Sequence, residues 1–138
     1  MTMKIYFAGS IRSGRQDRDW YRQIIELLKN YGRVLTEHIG DPKITGQGEH
    51  WLDDQVIFKR DIEWLLEADV LVADITQPST GVGYEIARAE QATKKVLCLF
   101  RKNSKTSLSG MINGNKKITT KLYSNMEDVK TILEQFFQ

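Results

Sequence analysis

Two carboxylates, Asp61 and Glu85, stand where a carboxylate can do chemistry. Asp61 falls three residues after Phe58 and four before Leu65, on the apolar stripe Phe58–Ile62–Leu65 of a segment with helical spacing. Burial strips a carboxylate of hydration and raises its pKa, which makes Asp61 a candidate proton donor. A helix-edge position or an internal ion pair with an Arg are the other readings. Glu85 follows Gly81-Val82-Gly83, and the spacing places it in the first turn of a helix. The positive helix end there favours its ionised form. An anion aimed into a cleft can attack an electrophilic sugar carbon, although simple charge complementarity at a helix start explains the same residue. Tyr6 lies near the carboxyl end of the β-prone run Lys4–Ala8. It is either core or a hydroxyl that holds a carboxylate in place. His38 follows Thr36-Glu37 and either lines a pocket or sits on the surface.

These side chains need elements to hold them. Strand-like and helix-like segments alternate: strand Lys4–Ala8, helix Asp17–Tyr31 stopped by Gly32, strand Arg33–Thr36, helix Leu52–Ala68 and strand Val70–Asp74. Helix Gly83–Thr93, strand Lys95–Phe100, strand Ile118–Tyr123 and helix Met126–Phe137 follow. Strands separated by helices imply βαβ units, a parallel sheet and helices on both faces. The expected fold is α/β, a doubly wound five-stranded parallel sheet in one domain spanning residues 1–138.

In such a sheet ligands bind beyond the carboxyl ends of the strands. Three loops fall there: Gly9–Gly14, Ile75–Gly83 and Arg101–Gly114, the last read as irregular throughout. Each carries Gly and Ser, and the first adds Arg12 and Arg15, whose forks suit phosphate. Gly81-Val82-Gly83 lacks the third glycine of a dinucleotide loop, and no Gly-Lys-Ser/Thr phosphate loop occurs. Trp51 is a loop aromatic that could cover a base, while Cys98, inside an apolar strand, reads as core.

Composition sets outer bounds. With 138 residues and 41% hydrophobic content the chain can bury a core. One Cys and two His make a zinc site implausible, and neither metal nor cofactor is expected. No run is long enough to span a bilayer and no signal-peptide pattern opens the chain, so a cytoplasmic protein is expected, with the nucleus open to a eukaryotic one. Net charge is +2, but no acidic residue falls between Gln91 and Lys117, where seven Lys and Arg lie. That block is a solvated basic edge or an attractor for an anionic ligand or nucleic acid.

Tyr6-Phe7-Ala8-Gly9-Ser10-Ile11-Arg12, Leu35-Thr36-Glu37-His38, Asp61-Ile62-Glu63-Trp64 and Thr76-Gln77-Pro78-Ser79-Thr80-Gly81-Val82-Gly83-Tyr84-Glu85 occur in this order. Leu97-Cys98-Leu99-Phe100-Arg101 and Leu108-Ser109-Gly110-Met111-Ile112 follow them. Together they resemble the 2'-deoxynucleoside 5'-phosphate N-hydrolases of the nucleoside 2-deoxyribosyltransferase superfamily, over nearly the whole chain. The resemblance implies a flavodoxin-like (Rossmann-like) sheet, a homodimer, and cleavage of deoxynucleoside monophosphates to free base and 2-deoxyribose 5-phosphate. It implies Glu85 as nucleophile, Asp61 as the acid assisting base departure, and Tyr6 as the residue orienting the nucleophile. Ser10, Arg12 and Ser79 match phosphate-side positions, and Ser109 and Met111 match residues lent by the neighbouring subunit. Gly9, Ile11, His38, Gly81 and Gly110 are expected beside the substrate.

Nucleoside-using relatives carry an Asp six residues before the nucleophile, where this chain has Ser79. A carboxylate there would repel a 5'-phosphate and a hydroxyl can donate to it, which favours a nucleotide. The segment from Asp41 to Trp51 matches the family poorly and leaves base preference open. A deoxyribosyltransferase, a ribonucleotide N-glycosidase, or a nucleotide- or nucleic-acid-binding module without turnover are the competing readings. The leading one takes a small-molecule deoxynucleotide and neither membrane nor nucleic acid as partner.

Overall fold

The computed structural model describes residues 2–11, 17–36, 38, 49 and 51–138. Its elements are β1 (Lys4–Ala8), α1 (Arg18–Leu28), β2 (Arg33–Val34), α2 (Asp54–Glu67), β3 (Val70–Asp74), α3 (Thr80–Gln91), β4 (Lys95–Arg101), α4 (Gly110–Asn113), β5 (Thr119–Tyr123) and α5 (Met126–Phe136). Among the described residues the strands form one sheet of order β2-β1-β3-β4-β5, with every pairing parallel. The winding reverses between β1 and β3, the switch point at which open α/β sheets open a crevice.

Strand alternation divides the core between two faces. Ile5, Phe7, Val72, Leu97 and Leu99 pack against α1 and α5 through Tyr21, Ile24, Leu28, Val129 and Leu133. Tyr6, Ala8, Leu71, Ala73, Val96 and Cys98 face Leu65 of α2 and Val82, Ile86 and Ala89 of α3. Tyr6 therefore shares a side with the two helices that carry Asp61 and Glu85. Cys98 is core, as its setting in the sequence suggests.

Several elements differ from the sequence reading. β2 stops at Val34 because Thr36 pairs through its side chain: its hydroxyl accepts the Phe7 N–H at 2.8 Å and donates to the Phe7 carbonyl at 2.7 Å. Helix α1 ends at Leu28, and Gly32 lies beyond it. A Cβ on Gly32 would lie 2.3 Å from the Met3 carbonyl oxygen, so glycine is needed there for close backbone approach. Helix α3 begins at Thr80, three residues earlier than glycine content suggests. Ser79 is its N-cap, and its Oγ accepts the Val82 N–H at 3.2 Å. The stretch read as loop after Arg101 contains the single turn α4.

A buried polar chain ties the carboxyl ends of the strands together. Asp74, at the end of β3, accepts the Tyr123 hydroxyl at 2.5 Å and the Thr76 N–H at 2.9 Å. Thr76 Oγ1 accepts the Arg101 N–H, and the Arg101 guanidinium pairs with Asp17 at 2.9 Å and lies over Trp20. The basic block thereby splits. Lys94, just before β4, and Lys95, its first residue, donate to the carbonyls of Leu66 and Phe136, while Arg101 serves at the opposite end of the strand. No helix among the described residues is long and apolar enough to cross a membrane.

Candidate active site

A cavity of about 350 Å3 opens at the switch point. Its wall includes Gly9 and Ile11 after β1, Ile57, Phe58, Asp61 and Ile62 of α2, and Gly81, Tyr84 and Glu85 of α3, with Glu49 and Asp54 beside them. The two carboxylates singled out in the sequence share this space. Gly9 is required behind it, since a Cβ would stand 2.9 Å from the ring of the fully buried Tyr21.

Asp61 does not continue a core stripe. Helix α2 buries only Leu65 fully, Phe58 is 53% exposed, and the amino-terminal half of the helix overhangs the cavity. Ile57, Phe58 and Ile62 become its apolar wall, and the Phe58 ring lies 6.3 Å from that of Tyr84. Burial raises the Asp61 pKa, while the neighbouring Arg60 pulls the other way through charge and a 3.0 Å hydrogen bond. Both sequence readings of Asp61, a raised carboxyl and an ion pair with an Arg, hold together.

Glu85 is not in the first turn of α3. The helix starts at Thr80, so Glu85 is its sixth residue, and no acidic residue occupies the first turn. The helix end therefore contributes little to it, because that influence fades within the first turn. Burial dominates and pushes Glu85 up to about 7; the Tyr6 hydrogen bond lowers it and the nearby Asp61 charge raises it. Tyr6 donates its hydroxyl to Glu85 Oε2. Burial, with Glu85 and Asp61 close by, raises the Tyr6 pKa, so the phenol stays a donor.

Beyond Asp61 lies a polar cluster that the sequence did not reveal. Arg60 grips Glu49 with both terminal nitrogens, Nη2 to Oε1 at 2.6 Å and Nη1 to Oε2 at 2.9 Å. The hydrogen bond to Arg60 holds Glu49 below the usual carboxylate range. His38 Nε2 lies 3.4 Å from Glu49 Oε1, and burial lowers its pKa, which keeps the ring neutral near pH 7. His38 thus stands behind Asp61 and Glu49 rather than on the cavity wall. Arg60 and Trp64 are one helical turn apart, with the guanidinium 4.8 Å from the ring, and that contact was open to sequence reasoning. Glu49 was not, because no helical or strand periodicity links it to Arg60, eleven positions later.

The remaining expected residues separate into groups. Ser10 is buried directly after Gly9. Arg12 and Arg15 lie outside the described residues. Ser79, Ser109 and Met111 do not line the Glu85 cavity. They line a second one of about 520 Å3 on the other flank of α3, with Val82, Gly83 and Ile86. Gly110 is exposed between Ser109 and Met111, and Met111 is 85% exposed. Trp51 is 55% exposed and is not among the residues lining the Glu85 cavity.

Residues 5–134 match the family model described as nucleoside 2-deoxyribosyltransferase. The 5-hydroxymethyl-dUMP N-hydrolase of Danio rerio is 47% identical over 138 residues, covering 99% of this chain and 96% of the relative. The human protein of the same name is 44% identical over 138 residues, covering 97% and 79%. Among solved structures, the CMP N-glycosidase of Clostridium botulinum superposes with a TM-score of 0.65 at 16% identity, covering 96% of this chain and 98% of that one. At that identity the likeness speaks to fold.

Proposed function

The chain belongs to the nucleoside 2-deoxyribosyltransferase family, and from that premise we propose that it hydrolyses the N-glycosidic bond of 2'-deoxynucleoside 5'-monophosphates. The observation that carries the reading is one cavity holding an oriented carboxylate and a second carboxylate with a raised pKa. Glycosidic cleavage passes through a cationic sugar. Glu85, with Oε2 fixed by the Tyr6 hydroxyl, is the anion that attacks C1'. The C1'–N bond breaks as the Glu85–C1' bond forms, and the electron pair leaves with the base. Asp61 delivers the proton that neutralises the base. Water then attacks C1' of the sugar ester, releases 2-deoxyribose 5-phosphate and restores the Glu85 carboxylate, its proton returning to Asp61.

The apolar wall of Ile57, Phe58 and Ile62 suits the face of a nucleobase. Gly81 leaves room at the cavity wall beside Glu85 for the sugar. The names of the curated relatives agree with a deoxynucleotide substrate. A panel of deoxynucleoside monophosphates, ribonucleoside monophosphates and free deoxynucleosides, assayed for released base, tests this. Base should appear from the deoxynucleotides foremost; release confined to ribonucleotides or to free nucleosides rejects the substrate assignment.

We further propose that two copies of the chain complete one another's sites. Support comes from the strongly exposed Met111 and the apolar second cavity beside it. Met111→Asp is expected to shift the chain toward monomer in light scattering and to cut base release at least about tenfold, because a charge at an apolar contact is poorly tolerated. A monomeric wild-type chain with full activity contradicts the proposal.

A further inference from the structure

We propose that Arg60 is a positioning residue for Asp61: clamped by Glu49, its guanidinium fixes the carboxyl at the cavity wall for departure of the base. The inference rests on the role given to Asp61 above. Arg60 is not among the residues lining the cavity, whereas Asp61 and Glu49 are, so it acts through them. One planar guanidinium serves both carboxylates. Its two terminal nitrogens take Glu49 in a fork, and Nε and Nη2 approach Asp61 Oδ1 at 3.0 and 2.9 Å. Both contacts to Asp61 fall on Oδ1, which assigns Oδ2 to the departing base.

The arrangement has a floor as well as sides. The Trp64 ring lies 4.8 Å from the Arg60 guanidinium and 5.5 Å from the His38 ring, so both planar groups rest against one indole. His38 closes the cluster 3.5 Å from Arg60 Nη2 and 3.4 Å from Glu49 Oε1. A fork held by two carboxylates and an aromatic surface has little rotational freedom, and that restriction is what orienting an acid requires.

Removing the guanidinium changes the electrostatics in a known direction. The groups acting on Asp61 are Arg60 on α2, His38 after β2, and Glu49; Tyr6 of β1 and Glu85 of α3 lie close enough to feel its charge. Arg60 and His38 lower the Asp61 pKa, whereas burial and Glu49 raise it. Without Arg60 the balance moves upward, and Asp61 stays protonated to higher pH.

The test compares wild-type protein with Arg60→Met, Arg60→Lys and Glu49→Gln. Asp61 titration is followed by carboxyl carbon NMR in substrate-free protein, and kcat and KM are measured across pH with a deoxynucleoside monophosphate. In Arg60→Met the Asp61 midpoint is expected to rise, the alkaline limb of kcat to follow it, and kcat at pH 7 to fall by on the order of 10- to 100-fold with KM little changed. Arg60→Lys keeps the charge without the fork: it should restore the pH profile but not kcat. Glu49→Gln should lower kcat alone and carries the test if Arg60→Met does not fold. An unmoved Asp61 midpoint in Arg60→Met overturns the proposal, as does equal loss in Arg60→Lys and Arg60→Met with no change in either profile. If the wild-type chain releases no base, the hydrolase reading fails, and the Asp61 titration still decides the role of Arg60.

Discussion

Glu85→Gln is expected to slow release of base from a deoxynucleoside monophosphate by on the order of 10^4-fold, with the substrate still bound. Gln can accept the Tyr6 hydroxyl but cannot form the sugar ester. The same substitution has a thermodynamic signature that simple loss of function does not. Glu85 titrates at about 7 in the folded chain, against an ordinary value of 4.5. Between those values the folded state binds more protons at this site than the unfolded one. Stability therefore falls as pH rises through that window and stays lower above it. Gln does not titrate. The gain in Tm of Glu85→Gln over wild type should be small near pH 4.5 and reach a few degrees above pH 7. A difference in Tm that does not change with pH would remove the burial argument for Glu85.

Asp61→Asn is the second large effect. Asn can hydrogen-bond to the base but cannot pass it a proton, so kcat should drop by roughly 10^2- to 10^3-fold. The loss should depend on the leaving group. With p-nitrophenyl 2-deoxyriboside 5-phosphate, whose phenolate leaves without a proton, release of phenolate by Asp61→Asn in the first turnover should approach the wild-type rate. Equal impairment on both substrates would assign Asp61 to binding or structure instead of proton delivery.

Much of this was legible in the chain because the relevant signals are local. Apolar runs such as Val70–Asp74 and Lys95–Phe100, spaced by helical segments, announce a parallel sheet, and the rule for open sheets confines the site to the loops after β1, β3 and β4, between which only the strand order decides. Asp61 stood out because a carboxylate beside Leu65 is costly unless it is used or paired. The start of α3 was misread because Gly81 and Gly83 lower helix propensity, while the Ser79 cap and burial of Val82 and Ile86 outweigh that cost. With the helix start misplaced, Glu85 received the wrong electrostatic environment: burial, not the helix end, governs it.

What stayed hidden depends on residues far apart in sequence. No periodicity connects Glu49 to Arg60, eleven positions later, or either of them to His38. Tyr6 was ambiguous for the same reason, since its partner lies 79 residues away. The basic block looked continuous in sequence, yet β4 carries Lys95 and Arg101 to opposite ends of the sheet.

The stereochemistry at C1' tests attack by Glu85 most directly. With methanol present as a competing acceptor, methyl 2-deoxyriboside 5-phosphate forms, and its anomeric configuration is read by proton NMR before it equilibrates. Two successive displacements, first by Glu85 and then by methanol, give the β-anomer of the starting nucleotide. The α-anomer would mean that the acceptor reaches C1' in one step, with Glu85 serving as a base and no sugar ester formed.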